Sequence, residues 1–360
     1  MDGLSPQAVL GVAHFEALTT TSVIVSYTVG RLNNGENRRI EIMEFDYTKN
    51  VVRRSRLIMP ANSPKFVEKA YLRDAAAVVL DLEDSVLRSE KITTRALIKE
   101  LIPIVGKGGS DVLIRINNTE DLLKDDIEAA IWPGVEGIVV PKVESATEVL
   151  AIEKLIAGLE QQRNIPPGHI KISVLIESAK GYMSMNEIAQ ASERVDSLTI
   201  GNEDFLRDNG IAEIKETYHA LLIPRMQLVF TARAYKKIPM GLIGSLANYG
   251  DAKAFEESAE LAYKHGYLGA SCIHPGNVEI LNKAFTPKQE EVGRSRQVIT
   301  AFEAAAAAGR ASATFEGKMI DYVHYDRAKQ VLVRYEIITA FERKKAQARE
   351  VAGHINGPRQ

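Results

Sequence analysis

Two carboxylates stand out by where they fall in the chain. In Ile172-Ser-Val-Leu-Ile-Glu-Ser-Ala-Lys-Gly181 and Ser197-Leu-Thr-Ile-Gly-Asn-Glu-Asp-Phe205, a short, mostly apolar run stops at an acid and a helix follows. Such runs are the signature of parallel strands covered on both faces. Glu177 and Asp204 therefore sit at the C-terminal ends of buried strands, where solvation is poor. Two such charges facing one cavity repel strongly unless a cation lies between them, and that is how a hard metal site is made. Two oxygen donors with several positions left open suit Mg²⁺, which keeps waters and takes oxygens from its substrate. The ordinary alternative is that one acid caps the following helix and the other pairs with Lys180.

Eight short apolar segments would position these acids. Residues 56–60, 77–82, 111–116, 137–141, 171–176, 197–200, 240–244 and 267–273 alternate with helical stretches over roughly 220 residues. That length and rhythm predict an α/β fold, a (β/α)₈ TIM barrel. A doubly wound open sheet would also alternate, but no glycine-rich dinucleotide fingerprint follows an early strand. A barrel requires its polar residues just after the strands, because its active site lies at that face. They recur there: Asn62, Ser63 and Lys65 after the first strand, Asp81, Glu83 and Asp84 at the second, Arg115 and Asn117 in the third. Lys142 and Glu144 follow the fourth, Glu177 the fifth, Asn202, Glu203 and Asp204 the sixth, and His274 the eighth. Any one of them alone is as readily a helix cap or a rim ion pair.

The flanks read differently. Residues 1–52 form a β-rich N-terminal extension, with runs at 19–29 and 38–45 split by Gly30 and Asn33-Asn-Gly35, which predicts a β-hairpin. The barrel is expected over 53–286, and residues 287–360 form a C-terminal helical extension with helices at 289–308 and 325–348. Between those helices, Phe315-Glu-Gly-Lys-Met-Ile-Asp-Tyr-Val-His324 places an acid among apolar neighbours, and the tail from residue 353 is expected to be disordered.

The 360 residues are 45% hydrophobic and 26% charged, an ordinary globular composition, with 45 Lys and Arg against 47 acids. A net charge of −2 gives no general reason to expect nucleic acid or an anionic membrane as partner. The single Cys272 allows neither an intramolecular disulfide nor a cysteine-based metal cluster, and reads as a packing residue. With no run of 18 apolar residues and no basic start before an apolar core, the chain is expected to be soluble, unexported and cytoplasmic.

Several motifs now occur in order at successive strand ends: Met59-Pro60 with Lys65-Phe66 and Lys69-Ala70, Leu80-Asp-Leu-Glu-Asp-Ser-Val86, Ile114-Arg-Ile-Asn117, and Pro141-Lys-Val-Glu144. Ile176-Glu-Ser-Ala-Lys-Gly181, Gly201-Asn-Glu-Asp-Phe205, Cys272-Ile-His-Pro275 and Gly317-Lys-Met-Ile-Asp321 complete the set. Together they resemble the citrate lyase β-subunit and malyl-CoA lyase family of the HpcH/HpaI aldolase superfamily, which are Mg²⁺-dependent carbon–carbon lyases. The resemblance implies that Glu177 and Asp204 bind Mg²⁺ and that Arg115 stabilises enolate charge on a thioester oxygen. It also implies that Asp321 acts as acid/base in the site of an adjacent subunit, within a homotrimer or homohexamer. Lys65 and Lys69, with Asn62 beside them, lie where the family holds coenzyme A. Glu83 and Asp84 would order metal-bound waters or hold Arg115; their ordinary alternative is a structural ion pair.

The implied reaction is cleavage or formation of a 3-hydroxyacyl-CoA thioester of malyl-CoA or citramalyl-CoA type, giving an acyl-CoA and a 2-oxoacid. An acyl-CoA thioesterase, a lyase subunit acting on a citryl carrier protein and a CoA-free 2-oxoacid aldolase remain open alternatives. Lys180 replaces the usual arginine, Val323 stands where proline often follows, and residues 242–250 lack the usual acidic-glycine strand. The hairpin and an insertion over 209–226 are additions, so the substrate is left open.

Overall fold

The computed structural model describes residues 27–31, 37–40, 50–212, 214–243 and 251–355. After a first antiparallel pair, β1 (Tyr27–Arg31) and β2 (Asn37–Ile40), eight strands form one sheet. They are β3 (Ser55–Pro60), β4 (Ala77–Asp81), β5 (Asp111–Arg115), β6 (Gly137–Val140), β7 (Lys171–Ile176), β8 (Val195–Ile200), β9 (Ile238–Met240) and β10 (Ala270–Cys272). Every neighbouring pair is parallel, in the order β10-β3-β4-β5-β6-β7-β8-β9. A parallel bridge between Met240 and Gly269 joins the two ends, with Gly241 N–H donating to the Gly269 carbonyl at 2.9 Å. The sheet thereby closes as the (β/α)₈ barrel that the strand count predicts.

One strand is displaced from its predicted place. Residues 240–244 were the expected seventh barrel strand, whereas β9 ends at Met240. Gly241 takes φ 154°, and a Cβ there would stand 3.0 Å from the Tyr267 ring, so the chain leaves the sheet at a residue only glycine fits. The rest of that stretch, 244–250, lies outside the described residues.

The two-residue period of the strands decides what faces the barrel axis. Val78, Leu80, Val112, Ile114, Ile138, Val140, Ile172 and Val174 pack with helix residues such as Ile98, Ile127, Val149 and Ile188 on the outside. Ala77, Val79, Leu113 and Val139 form a separate small cluster with Ile58 and Leu175, and this is the interior layer. Stepping two residues along β4, β5 and β7 carries that inward face from Val79 to Asp81, from Leu113 to Arg115 and from Leu175 to Glu177. At the opposite end of the barrel, buried Arg56 donates to the Ser173 and Ser197 hydroxyls, and buried Arg53 pairs with Asp111 and Asp196. A thin apolar layer thus separates a polar base from the carboxylates at the top.

By internal packing the chain divides into two compact units: residues up to Asn50 with Pro287–Ile337, and Val51–Thr286 with the residues from Ile338. In the barrel unit, Lys345 is fully buried and donates to the Asp74 carbonyl at 2.9 Å while pairing with the Asp74 carboxylate at 2.7 Å. The other unit contains the helix Gln289–Ala307 and the antiparallel pair β11 (Ala313–Phe315) and β12 (Lys318–Ile320). Glu316 and Gly317 join that pair, both left-handed at φ 49° and 71°, which is the two-residue turn suited to strand twist. Phe302 packs on Tyr325 with ring centroids 4.8 Å apart. The final helix runs from Tyr322 to Ile355, so the first residues of the tail expected to be disordered are helical; 356–360 lie outside the described residues.

Candidate functional site

Arg115, the last residue of β5, is the best-anchored group at the top of the barrel. Its Nε and Nη2 donate to the two oxygens of Asp81 at 2.6 and 2.7 Å, a bidentate contact between neighbouring strands in register. Asp81 is fully buried and also accepts from the backbone N–H groups of Glu83 and Ser85. Burial works against its charge, but the two bonds from Arg115 outweigh it and hold the carboxyl below the usual range. Arg115 is correspondingly held firmly protonated: burial opposes the charge, and Asp81, Glu83 and Asp84 overcome it.

The second half of the site is built around Glu177. It is 7% exposed and accepts from the Lys142 backbone N–H at 2.9 Å. Burial first, then the charges of Glu83 and Asp204, push its pKa up to about 7 against an ordinary 4.5. Neither ordinary alternative applies to Glu177. Ser178 caps the helix Ala179–Met183 by accepting from Gly181 N–H, and Lys180 pairs with Glu144 at 2.9 Å. Gly201 makes room for the carboxylate, since a Cβ there would lie 2.3 Å from Glu177 Oε1. Asp204 is in the first turn of the helix Asn202–Asp208 and pairs with exposed Arg207 one turn on.

Glu83 links the halves. Its Oε1 accepts from Lys142 Nζ at 2.5 Å, and its Oε2 lies 3.0 Å from Arg115 Nη1. That Oε2 is buried and has no hydrogen-bond partner among the described residues. Burial raises the Glu83 pKa despite both cations. Asp84 is more than half exposed, 3.5 Å from Arg115, and so holds the arginine far less than Asp81 does.

Support for this loop comes from Asn117 together with two residues the sequence did not single out, Lys91 and Asp126. Buried Lys91 donates to the carbonyls of Leu82 and Glu83 and to Asn117 Oδ1, at 2.7 to 3.0 Å. Asn117 in turn donates to the Leu82 carbonyl and to buried Asp126. Asp81 could have been found by parity alone, because it shares the inward face of Val79; Lys91 and Asp126 left no local signal.

Among the described residues no hydrogen bond or ion pair joins the remaining candidates to this group. Asn62 donates to Glu90 at 2.9 Å, and Lys65 and Lys69 are exposed on the turns after β3. His274 is exposed and accepts from Gly276 N–H. Asp321 belongs to the other unit, where it follows β12, accepts from Val323 N–H and bonds the His324 ring at 2.6 Å; that bond draws its pKa down.

The donor set fits a hard divalent cation. Two carboxylates, a Glu177 pKa raised by burial and by neighbouring acids, and a buried Glu83 oxygen that is ion-paired to Arg115 but lacks a hydrogen bond describe a site that favours a further positive charge. Among the described residues no three acid, histidine or cysteine side chains converge as a closed metal cage, so waters and substrate would complete the coordination.

The family model for HpcH/HpaI aldolase/citrate lyase matches residues 54–275, which is the barrel. The chain belongs to the HpcH/HpaI aldolase/citrate lyase family. It is an enzyme of the carbon–carbon lyase class. The citrate lyase β subunit of Leuconostoc mesenteroides subsp. cremoris is 31% identical over 282 residues, covering 78% of this chain and 92% of that one. The L-malyl-CoA/β-methylmalyl-CoA lyase of Cereibacter sphaeroides is 28% identical over 307 residues, covering 80% of this chain and 96% of its own. Among solved structures, the CitE protein of Mycobacterium tuberculosis in complex with magnesium, acetoacetate and coenzyme A superposes with a TM-score of 0.62 at 25% identity. That match covers 80% of this chain and 99% of CitE. No helix among the described residues is long and apolar enough to cross a membrane.

Proposed function

We propose that the protein is a Mg²⁺-dependent lyase that cleaves or forms a 3-hydroxyacyl-CoA thioester of malyl-CoA or citramalyl-CoA type, yielding an acyl-CoA and a 2-oxoacid. The observation that carries this reading is the bidentate Arg115–Asp81 contact beside the carboxylates of Glu83, Glu177 and Asp204, of which buried Glu177 is held back from ionising. A fixed guanidinium next to a cation site is what enolate chemistry on a thioester needs.

Glu177 and Asp204 would hold the Mg²⁺, which when bound supplies Lewis acidity and a template for the oxygens of the 2-oxoacid portion. Arg115 faces the thioester oxygen. In cleavage the 3-hydroxyl gives up its proton to water and its oxygen becomes the carbonyl of the 2-oxoacid as the carbon–carbon bond breaks. The electron pair of that bond moves toward the thioester oxygen as an enolate, which a guanidinium already fixed by Asp81 stabilises without reorganising. Asp321, contributed by an adjacent subunit of a homotrimer or homohexamer, delivers the proton to the enolate carbon in cleavage and removes it in the forward condensation. Lys65, Lys69 and Asn62 meet the coenzyme A phosphates.

The test is an Mg²⁺-dependent screen of malyl-, β-methylmalyl- and citramalyl-CoA, following free thiol and 2-oxoacid together, with Glu177→Ala as control. The reading expects 2-oxoacid without thiol, lost in the variant. Thiol without 2-oxoacid would make the protein a thioesterase, and inactivity on every thioester would turn attention to carrier-bound or CoA-free substrates.

A further inference from the structure

Lys142 touches both halves of the site, yet no role in the chemistry above falls to it. It follows Pro141 at the end of β6 and adopts a left-handed backbone with φ 53°. For a residue with a Cβ, that conformation costs on the order of 1 kcal/mol and persists only where the surroundings enforce it. Lys236 adopts it too, but just past the end of the helix Leu222–Ala234, where left-handed caps are routine. Lys142 ends a strand instead, and two contacts account for its turn. Its N–H points at Glu177 Oε2, 2.9 Å away, and its ammonium reaches Glu83 Oε1 at 2.5 Å.

Each contact acts on a different half. The N–H fixes one oxygen of Glu177 and leaves the other free. The ammonium fixes Glu83, whose second oxygen lies 3.0 Å from Arg115 Nη1. Asp81 already grips Nε and Nη2, so Glu83 acts on the remaining nitrogen of the guanidinium through its ion pair, beside a long hydrogen bond from Nη1 to Asp84 at 3.5 Å. We propose that Lys142 is a positioning residue joining the two halves: its backbone orients the metal ligand Glu177, and its ammonium, through Glu83, orients Arg115. The role of the ammonium rests on the function proposed above; that of the backbone rests only on the site holding a divalent cation.

Two kinds of substitution separate the roles. Lys142→Met and Lys142→Gly remove the ammonium but keep an N–H that can hold the left-handed turn. Both are expected to lower kcat about 10- to 100-fold, the cost of a misplaced catalytic group, with KM within about 3-fold. Lys142→Arg should recover much of that loss. Affinity for Mn²⁺, measured by calorimetry on substrate-free protein, should stay within about 3-fold for Met and Gly. Lys142→Val resists the left-handed region through its branched Cβ, so it should in addition weaken Mn²⁺ at least 10-fold. Wild-type kcat in Lys142→Met, or a raised KM with kcat intact, would overturn the positioning role, the latter showing that the ammonium binds substrate. Wild-type Mn²⁺ affinity in Lys142→Val would overturn the backbone role. The Mn²⁺ series needs no turnover. If the wild-type protein cleaves no thioester, the function proposed above fails, while the Mn²⁺ series still decides the backbone role. A crystal structure of Lys142→Met then decides the ammonium, since Glu83 Oε2 keeping its place beside Arg115 would refute it.

Discussion

Glu177→Gln should stabilise the metal-free protein while destroying its affinity for Mg²⁺. The folded-state pKa of about 7 lies well above the ordinary 4.5, so between those pH values the native state keeps a proton that the unfolded chain has lost. Stability from this group is therefore fully present below pH 4.5, declines as pH rises, and is gone above pH 7. The interval corresponds to about 3 kcal/mol of strain from the ionised carboxylate at pH 8. Glutamine removes the charge and can still accept from Lys142 N–H; its amide must fit beside Gly201, which takes back about 1 kcal/mol. Urea unfolding in EDTA, run from pH 4.5 to 8, gives the difference between variant and wild type. That difference should be near zero or slightly unfavourable at pH 4.5 and rise to a plateau of about 1–3 kcal/mol above pH 7. Added Mg²⁺ should close or reverse the gap, stabilising only the wild type, by about 2.7 kcal/mol at 100 times its dissociation constant. A flat difference across the pH range, or a variant less stable throughout, would refute the charge-starved site.

Asp81→Asn removes the partner of a largely buried guanidinium and should cost about 3 kcal/mol in urea unfolding, together with a kcat loss on the order of 10², at unchanged Mg²⁺ affinity. Gly201→Ala drives a methyl against Glu177 Oε1; calorimetry should show Mg²⁺ binding weakened by about 10-fold or more while the protein stays folded. Arg207→Ala releases Asp204 from its exposed ion pair and should tighten Mg²⁺ a few-fold without changing stability beyond about 0.5 kcal/mol. Asp321→Ala should lower kcat by about 10² to 10⁴ with metal affinity intact. Refolding it together with Glu177→Gln subunits should restore part of the activity if the acid arrives from a neighbouring subunit; a dead mixture would place it in its own subunit's site.

The barrel was legible because parallel strands covered on both faces leave continuous apolar runs, and an ionisable residue ending such a run marks the open face. Arg115 and Glu177 were found in this way. The same continuity hid the register of β9: residues 238–243 are apolar throughout, with no polar landmark, and only the Gly241 turn against Tyr267 shows where the strand stops. Of three acids in four positions, Glu83 and Asp84 were given roles from the sequence and Asp81 was only noted at its strand end. Counting inward from Val79 separates them, since 81 and 83 share its parity and 84 does not, and the structure leaves Asp84 alone of the three exposed. What no local pattern carried is long-range or conformational: Lys91 meeting Asn117 from 26 positions away, and a lysine at 142 in a backbone region that sequence reserves for glycine. The β11–β12 hairpin was missed for a related reason, because its three-residue strands are shorter than any window in which period two can be read.

The charges around the barrel mouth bear on the valence of the cation proposed there. Asp81, Glu83, Glu177 and Asp204 face Arg115 and Lys142, four carboxylates to two cations; adding the exposed Asp84 and Arg207 leaves the excess at two negative charges. Asp81 has its full complement in Arg115, so the excess falls on the Glu83, Glu177 and Asp204 side. The chain relieves part of it by keeping a proton on Glu177 up to about pH 7. A monovalent ion would leave the site still negative, and a trivalent one would overcompensate and compete with Lys142 for Glu83. On the proposed function, a divalent cation held by Glu177 and Asp204 would balance the site by displacing the Glu177 proton, while Arg115 stays paired with Asp81 and offers its N–H groups to an incoming oxyanion. The proposed metal binding and enolate chemistry would thus draw on the same few carboxylates, with Glu83 between them.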